Sequence, residues 1–286
     1  MRGVNTTLAP REVRIAVGDA WLYGDLVLPP GFQGLVLFAH GSGSGRHSAR
    51  NRQVAQHLQH AGIATLLFDL LTAQEEQIDL LTREHRFNMP LLTRRMQDAT
   101  AWAAAQPELQ HAALGYFGAS TGSAAALMAA ARLGHQIAAV VSRGGRPDLA
   151  GPVALAAVTA PTLLIVGGAD HGVIELNEQA HAHLRCEKSL VMVPGATHLF
   201  EEAGALEQVA QLASSWFTAH LTSLEKQTPG RPKCFSSPSG GRTPQGGGLG
   251  GALEKQTPGR PKCFSSPSGG RTPQGGGLGG ALRYTT

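Results

Sequence analysis

Apolar and polar residues alternate through REVRIAVG (11–18) and AWLYGDLVLP (20–29), with a Gly-Asp pair between the two segments. Period-two alternation turns one face of each segment to a core and the other to water, so the pair reads as an antiparallel hairpin. The pattern then changes. GLVLFAH (34–40), IATLLFD (63–69), ALGYFG (113–118), IAAVVS (137–142), PTLLIVG (161–167) and SLVMVPG (189–195) are short, nearly unbroken apolar runs. Runs of this length without a polar face fit strands covered on both sides. Between them, helical patterning runs from about Arg50 to Ala61, through parts of 71–106 (most clearly TRRMQDATAWAAAQ), and through 120–134, 173–184 and 202–221. Gly134 stands where the third of these segments should end. Strand and helix in alternation predict an α/β three-layer sandwich, its sheet mostly parallel, with the antiparallel hairpin at the N-terminal end. Sites in such sheets lie beyond the C-terminal ends of the strands.

Composition changes at Leu224. The stretch LEKQTPGRPKCFSSPSGGRTPQGGGLGGA fills 224–252, recurs unchanged at 253–281, and is followed by LRYTT. Each copy holds eight Gly and four Pro and few large aliphatic residues. It has too little apolar surface to offset the entropy of ordering. Residues 1–223 are therefore expected to form one folded domain and 224–286 a disordered extension. The formal charge of +4 averages these unlike parts: the tail carries nine Lys/Arg against two Glu, and residues 1–223 carry 15 Lys/Arg against 18 Asp/Glu. The basic balance belongs to the tail, so the body has no general attraction for nucleic acid or a membrane surface. No apolar run approaches the length of a bilayer span, and the first residues lack the apolar core of a signal peptide. Before the tail there is a single cysteine, Cys186, hence neither a disulfide framework nor a paired-thiol metal site. The expectation is a cytoplasmic protein that acts on a small molecule without metal or cofactor.

The candidate chemistry centres on GYFGASTGSAAAL (115–127), where Ser120 lies between Gly118 and Gly122 with a strand before it and a helix after. A G-x-S-x-G turn in that setting lifts a serine oxygen to the sheet edge, and small flanking residues let the strained turn pack. A serine hydroxyl needs a base. His198, in SLVMVPGATHLF, follows the last predicted strand; His171 is the rival. The base needs an orienting carboxylate. Asp170, at the end of PTLLIVGGAD, is preferred, with Asp148 in SRGGRPDLA as the alternative; Asp69, which ends IATLLFD, is assigned a structural role. Developing negative charge requires backbone N–H donors. Thr121, next to the nucleophile, supplies one, and the HGSGSG loop after GLVLFA supplies the other, from Ser42 or its neighbour Gly41. His40 is read as holding that loop in shape. Arg46, His47 and Arg50 follow the HGSGSG loop, and Arg143 and Arg146 follow another strand; of these, Arg46, Arg143 and Arg146 are the candidate substrate-binding residues, and converging guanidiniums would favour an anionic group on the substrate. Residues 71–92 are a candidate cap over the site.

HGSGSGRHSARN, TLLFDLLT, GYFGASTG, VVSRGGRPDLAG, LLIVGGAD and PGATHLFEE together resemble a bacterial dienelactone hydrolase-like branch of the α/β-hydrolases. The resemblance covers nearly all of residues 11–221 and none of the tail. It implies an α/β/α sandwich, a metal-free hydrolase of esters or lactones, and a triad of Ser120, Asp170 and His198, whose chain order is that of α/β-hydrolases. Dienelactone hydrolases proper carry a cysteine at the position matching Ser120, and a serine there implies ordinary esterase chemistry. Some relatives of this branch are joined to a phosphoribosyltransferase domain, which no segment of this chain resembles. The alternatives are an acyltransferase or peptidase on the same triad, or a non-catalytic binding protein on the same fold.

Overall fold

A computed structural model describes residues 8–221. The expected domain boundary at 223 and the repeat tail lie outside them. Within them, eight strands form one sheet: β1 (Arg11–Val17), β2 (Ala20–Val27), β3 (Gly34–Ala39), β4 (Ala64–Phe68), β5 (Ala113–Ala119), β6 (Ile137–Arg143), β7 (Thr162–Gly167) and β8 (Lys188–Val193). Their spatial order is β1-β2-β4-β3-β5-β6-β7-β8. β2 pairs antiparallel with β1 and with β4; every other pairing is parallel. Hairpin and parallel sheet thus match the sequence pattern. The insertion of β4 between β2 and β3 is a crossover on which the pattern is silent.

The helices are α1 (Ala49–His60), α2 (Ala73–Thr82), α3 (Met89–Ala104), α4 (Thr121–Leu133), α5 (Gly151–Ala157), α6 (His171–His183) and α7 (Ala205–His220). Two cores result, one on each face of the sheet. On β3, Leu35, Leu37 and Ala39 pack with α3 and α4 residues such as Met96 and Leu127. Val36 and Phe38 point the other way, to Val54 and Leu58 of α1 and to Val209 and Phe217 of α7. β5 divides its side chains in the same manner, with Tyr116 on the first face and Phe117 on the second. Continuous apolar runs are what period-two geometry requires when both faces are covered. In β1 only Val13, Ile15 and Val17 are buried, which explains its alternation.

The helical stretch 71–106 is two helices. α2 starts with a capping box between Thr72 and Glu75 and stops at Arg83, whose φ is 61°. Buried Asp79 then binds the connection, accepting from the backbone N–H of His85 (2.8 Å) and Arg86 (2.9 Å) and from Arg86 Nε (2.7 Å). α5, seven residues long with a proline in its first turn, is too short to show a period and has no counterpart in the sequence reading.

Candidate active site

The turn from β5 into α4 holds Ser120 at φ 50° and ψ −124°. A non-glycine residue keeps such a conformation, at a cost of about 1–3 kcal/mol, only where its surroundings enforce it. They do so through close approach. A Cβ at Gly118 would lie 2.5 Å from Ser123 Cα, and one at Gly122 would lie 2.3 Å from the carbonyl oxygen of Ala39. Backbone bonds complete the turn: Ser120 N–H donates to the Arg143 carbonyl (3.2 Å), and the Ser120 carbonyl accepts from the N–H of Ser123 (3.1 Å) and Arg146 (3.0 Å).

His198 stands in the loop after β8, and its Nδ1 donates to Asp170 Oδ2 at 2.7 Å. Asp170 lies between β7 and α6, where its carboxylate makes no hydrogen bond to the helix N-terminus and serves the imidazole instead. Nε2 is left as the acceptor. Ser120 and His198 line one cavity of about 240 Å³, together with Gly41, Ser42, Arg50 and Arg143. No hydrogen bond joins Ser120 Oγ to His198 among the described residues, and such contacts commonly tighten only on substrate binding. Asp148 is engaged elsewhere: Arg146 holds both its oxygens, at 2.9 and 2.8 Å. His171 is exposed at the start of α6.

The loop after β3 passes against the nucleophile. A Cβ at Gly41 would come within 3.0 Å of Ser120 Cβ. Thr121 opens α4, so its N–H has no partner inside the helix. The Ser42 N–H donates to the Thr121 hydroxyl at 3.0 Å, so an oxyanion would have to compete with that hydroxyl for it. His40 fixes the loop from below: Nδ1 donates to the Gly41 carbonyl and Nε2 accepts from Leu70 N–H, both at 2.9 Å. The carbonyl settles the tautomer. Burial lowers the imidazole pKa, against smaller opposing effects of the Gly41 carbonyl and Asp69, and favours the neutral ring.

Of the three arginines expected to bind substrate, only Arg143 lines the cavity. Arg46 sits among Glu12 (3.1 Å), Asp25 and Asp69 (3.7 Å each) and over the Tyr23 ring at 5.5 Å, while Arg146 is spent on Asp148. Both expectations are corrected here; the Arg46 partners come from three separate strands or their ends, which chain order does not reveal. Asp69 is structural as expected, accepting the Arg46 backbone N–H at 2.8 Å. The residues that join Arg143 are Arg50 and Asn51 in the first turn of α1. Arg50 is the member of the group after the HGSGSG loop that does reach this cavity; Asn51 carries no sequence signal. Burial, and secondarily the charge of Arg50, lowers the Arg143 pKa to about 10, which leaves it cationic at neutral pH. The cap expectation also changes. α2 stands beside the loop after β3, where Glu76 and Asp79 share a narrow cleft with His40 to Ser44, and none of its residues lines the Ser120 cavity. Among the described residues, no group of three His, Cys, Asp or Glu side chains is placed to hold a metal, and no helix is long and apolar enough to cross a membrane.

Residues 32–216 match the family model described as an alpha/beta hydrolase domain. Two Mycobacterium tuberculosis proteins, from strains CDC 1551 and H37Rv, are 55% identical over 214 residues, covering 75% of this chain and 47% of their own length. The chain thus spans about half the length of these curated relatives, which carry a provisional phosphoribosyl transferase name. The crystal structure of a dienelactone hydrolase from Anabaena variabilis is similar at 59% identity and a TM-score of 0.72, covering 74% of this chain and 99% of that one. Est1E from Butyrivibrio proteoclasticus shares the fold at 16% identity and a TM-score of 0.62, over 73% of this chain and 98% of its own. The strand order, the serine at the β5–α4 turn and these matches agree: the chain belongs to the α/β-hydrolase family, among its dienelactone hydrolase-like members.

Proposed function

We propose that this chain is a serine hydrolase that cleaves a small carboxylic ester or lactone through an acyl-enzyme. The observation that carries the proposal is Ser120, strained at the sheet edge, sharing a cavity with a His198 whose Nδ1 is held by Asp170. With Nδ1–H bonded to the carboxylate, Nε2 takes the Ser120 proton as Oγ attacks the carbonyl carbon. The tetrahedral oxyanion rests on the backbone N–H of Thr121 and on that of Ser42, which exchanges its bond to the Thr121 hydroxyl for the stronger charged acceptor. The carbon–oxygen bond to the leaving alcohol breaks as that oxygen takes the proton back from His198. Water then attacks the acyl-enzyme, gives a proton to His198, and the acid leaves as Ser120 is reprotonated.

The kinship to a dienelactone hydrolase supports the bond type. The serine nucleophile directs the proposal to ordinary esters and lactones. It concerns only the half of the mycobacterial relatives that this chain spans. A cytoplasmic setting is part of the same proposal and rests on Cys186, a free thiol that is the sole cysteine of residues 1–223. The test is fluorophosphonate labelling, with turnover of a short neutral aryl ester, in the full-length chain and its Ser120→Ala variant. Label and turnover are expected in the first and absent from the second; equal turnover in both would rule the mechanism out.

A further inference from the structure

His198 occupies the second position of a tight turn. The Phe200 N–H donates to the Thr197 carbonyl at 3.2 Å, so these two residues form the base of the turn. The chain entering it is tied to the strand end that carries the acid. Ala169 N–H, next to Asp170, donates to the Ala196 carbonyl at 2.9 Å, and a Cβ at Gly167 would lie 2.4 Å from that same oxygen. The far end is held from below. Phe200 is buried in the core that contains Ile165 and Val209, yet its φ is 56°. A bulky residue keeps that conformation only where packing enforces it. The turn also rests on Gly144, where a Cβ would be 3.0 Å from the His198 carbonyl oxygen and 3.2 Å from Phe200 Cε2.

One side chain closes the turn from the side. Glu202 Oε1 accepts both the Thr197 N–H, at 3.0 Å, and the Thr197 hydroxyl, at 2.6 Å. Its Oε2 has no partner among the described residues, so the carboxylate is committed to Thr197. The bond from that hydroxyl, foremost among several effects, holds the Glu202 pKa below its ordinary 4.5, which leaves the group ionised at neutral pH. A hydroxyl bonds an ionised acceptor roughly twice as strongly as a neutral one. The Glu202 carbonyl accepts from Ala205 N–H at 3.0 Å, which roots the clamp in the first turn of α7. A strained turn relaxes when one of its holds is lost. Without Glu202, Thr197 can swing and carry the imidazole away from Asp170 and Ser120. A displacement of about 1 Å is enough to cost about 10²-fold in rate.

The geometry points to Glu202 as a positioning residue, which sets the His198 imidazole through Thr197 from outside the Ser120 cavity. This rests on the serine hydrolase reading above and adds a residue to its machinery.

The test uses the full-length chain with Glu202→Ala and with Glu202→Gln, which keeps an amide oxygen in place of Oε1. In para-nitrophenyl acetate hydrolysis, Glu202→Ala is expected to lose about tenfold or more in kcat with KM within about twofold, because the base moves and the binding surface does not. Glu202→Gln should return to within about threefold of the wild type. The low-field proton NMR signal of His198 Nδ1–H, identified by its absence from His198→Gln, should broaden or vanish in Glu202→Ala and persist in Glu202→Gln. Wild-type kcat with an unchanged signal in Glu202→Ala would overturn the assignment. So would equal losses in the two variants, or a fall in kcat that leaves the signal intact. Thr197→Val deletes only the hydroxyl and decides the matter if Glu202→Ala does not fold. A fall of about threefold or more in kcat with a broadened signal supports the clamp, and wild-type values of both overturn it. The signal needs no turnover. It therefore judges the clamp even in a wild type that neither hydrolyses the ester nor takes the fluorophosphonate label, the result that would overturn the hydrolase reading instead.

Discussion

Gly122 lies so close to Ala39 that a methyl group on its Cα would be 2.3 Å from the Ala39 carbonyl oxygen and 2.5 Å from that of His40. This contact seats the first turn of α4 on the end of β3, bringing the nucleophile and the loop after β3 to one edge. Backbone carbonyls cannot retreat as a flexible side chain can. Gly122→Ala is therefore expected to destabilise the protein by about 2 kcal/mol or more. Thermal unfolding followed by circular dichroism should show Tm lowered by roughly 4–8 °C.

The strain at Ser120 leads to an opposite expectation. A residue held at φ 50° costs free energy that glycine does not incur. Ser120→Gly should abolish turnover yet be more stable than Ser120→Ala, by about 1 kcal/mol in denaturant titration. Equal stability of the two variants would show that the turn is not strained.

The two candidate acids separate cleanly by mutation. Asp170→Asn removes the acceptor at His198 Nδ1 and favours the wrong tautomer, so kcat should fall by about 10³–10⁴-fold. Asp148→Asn weakens a partly exposed pair with Arg146 and should change kcat by no more than a few-fold. Steady-state ester hydrolysis on both variants checks the pair.

His40 gives the fold a defined acid sensitivity. Its pKa is lowered from an ordinary 6.5, chiefly by burial, so below that pH the unfolded chain takes up a proton that the folded one does not. The stability from His40 is therefore fully present above pH 6.5 and declines as pH falls through the folded pKa, by at most about 1.4 kcal/mol per pH unit. Denaturant titrations at pH 7.5, 6.5 and 5.5, values set around the ordinary pKa, should show this loss in the wild type and a flatter profile in His40→Gln.

The sequence alone determined the strands and the fold class, because each strand that is buried on both faces must be apolar throughout and each one-sided strand must alternate. It also singled out Ser120, Asp170 and His198 as candidates; each follows a strand, and the fold bonds His198 to Asp170 and places Ser120 and His198 in one cavity. The same logic misplaced Arg46 and Arg146. Following a strand brings a side chain to the right edge, but its direction depends on which carboxylates wait there: Glu12, Asp25 and Asp69 for Arg46, and Asp148 for Arg146. Tertiary structure also set the crossover of β4, the close approach of Gly122 to Ala39, and the meeting of Arg143 with Asn51 across 92 positions of chain. Local pattern encodes which surfaces must be buried; the partner buried against each is chosen by packing between segments far apart in sequence.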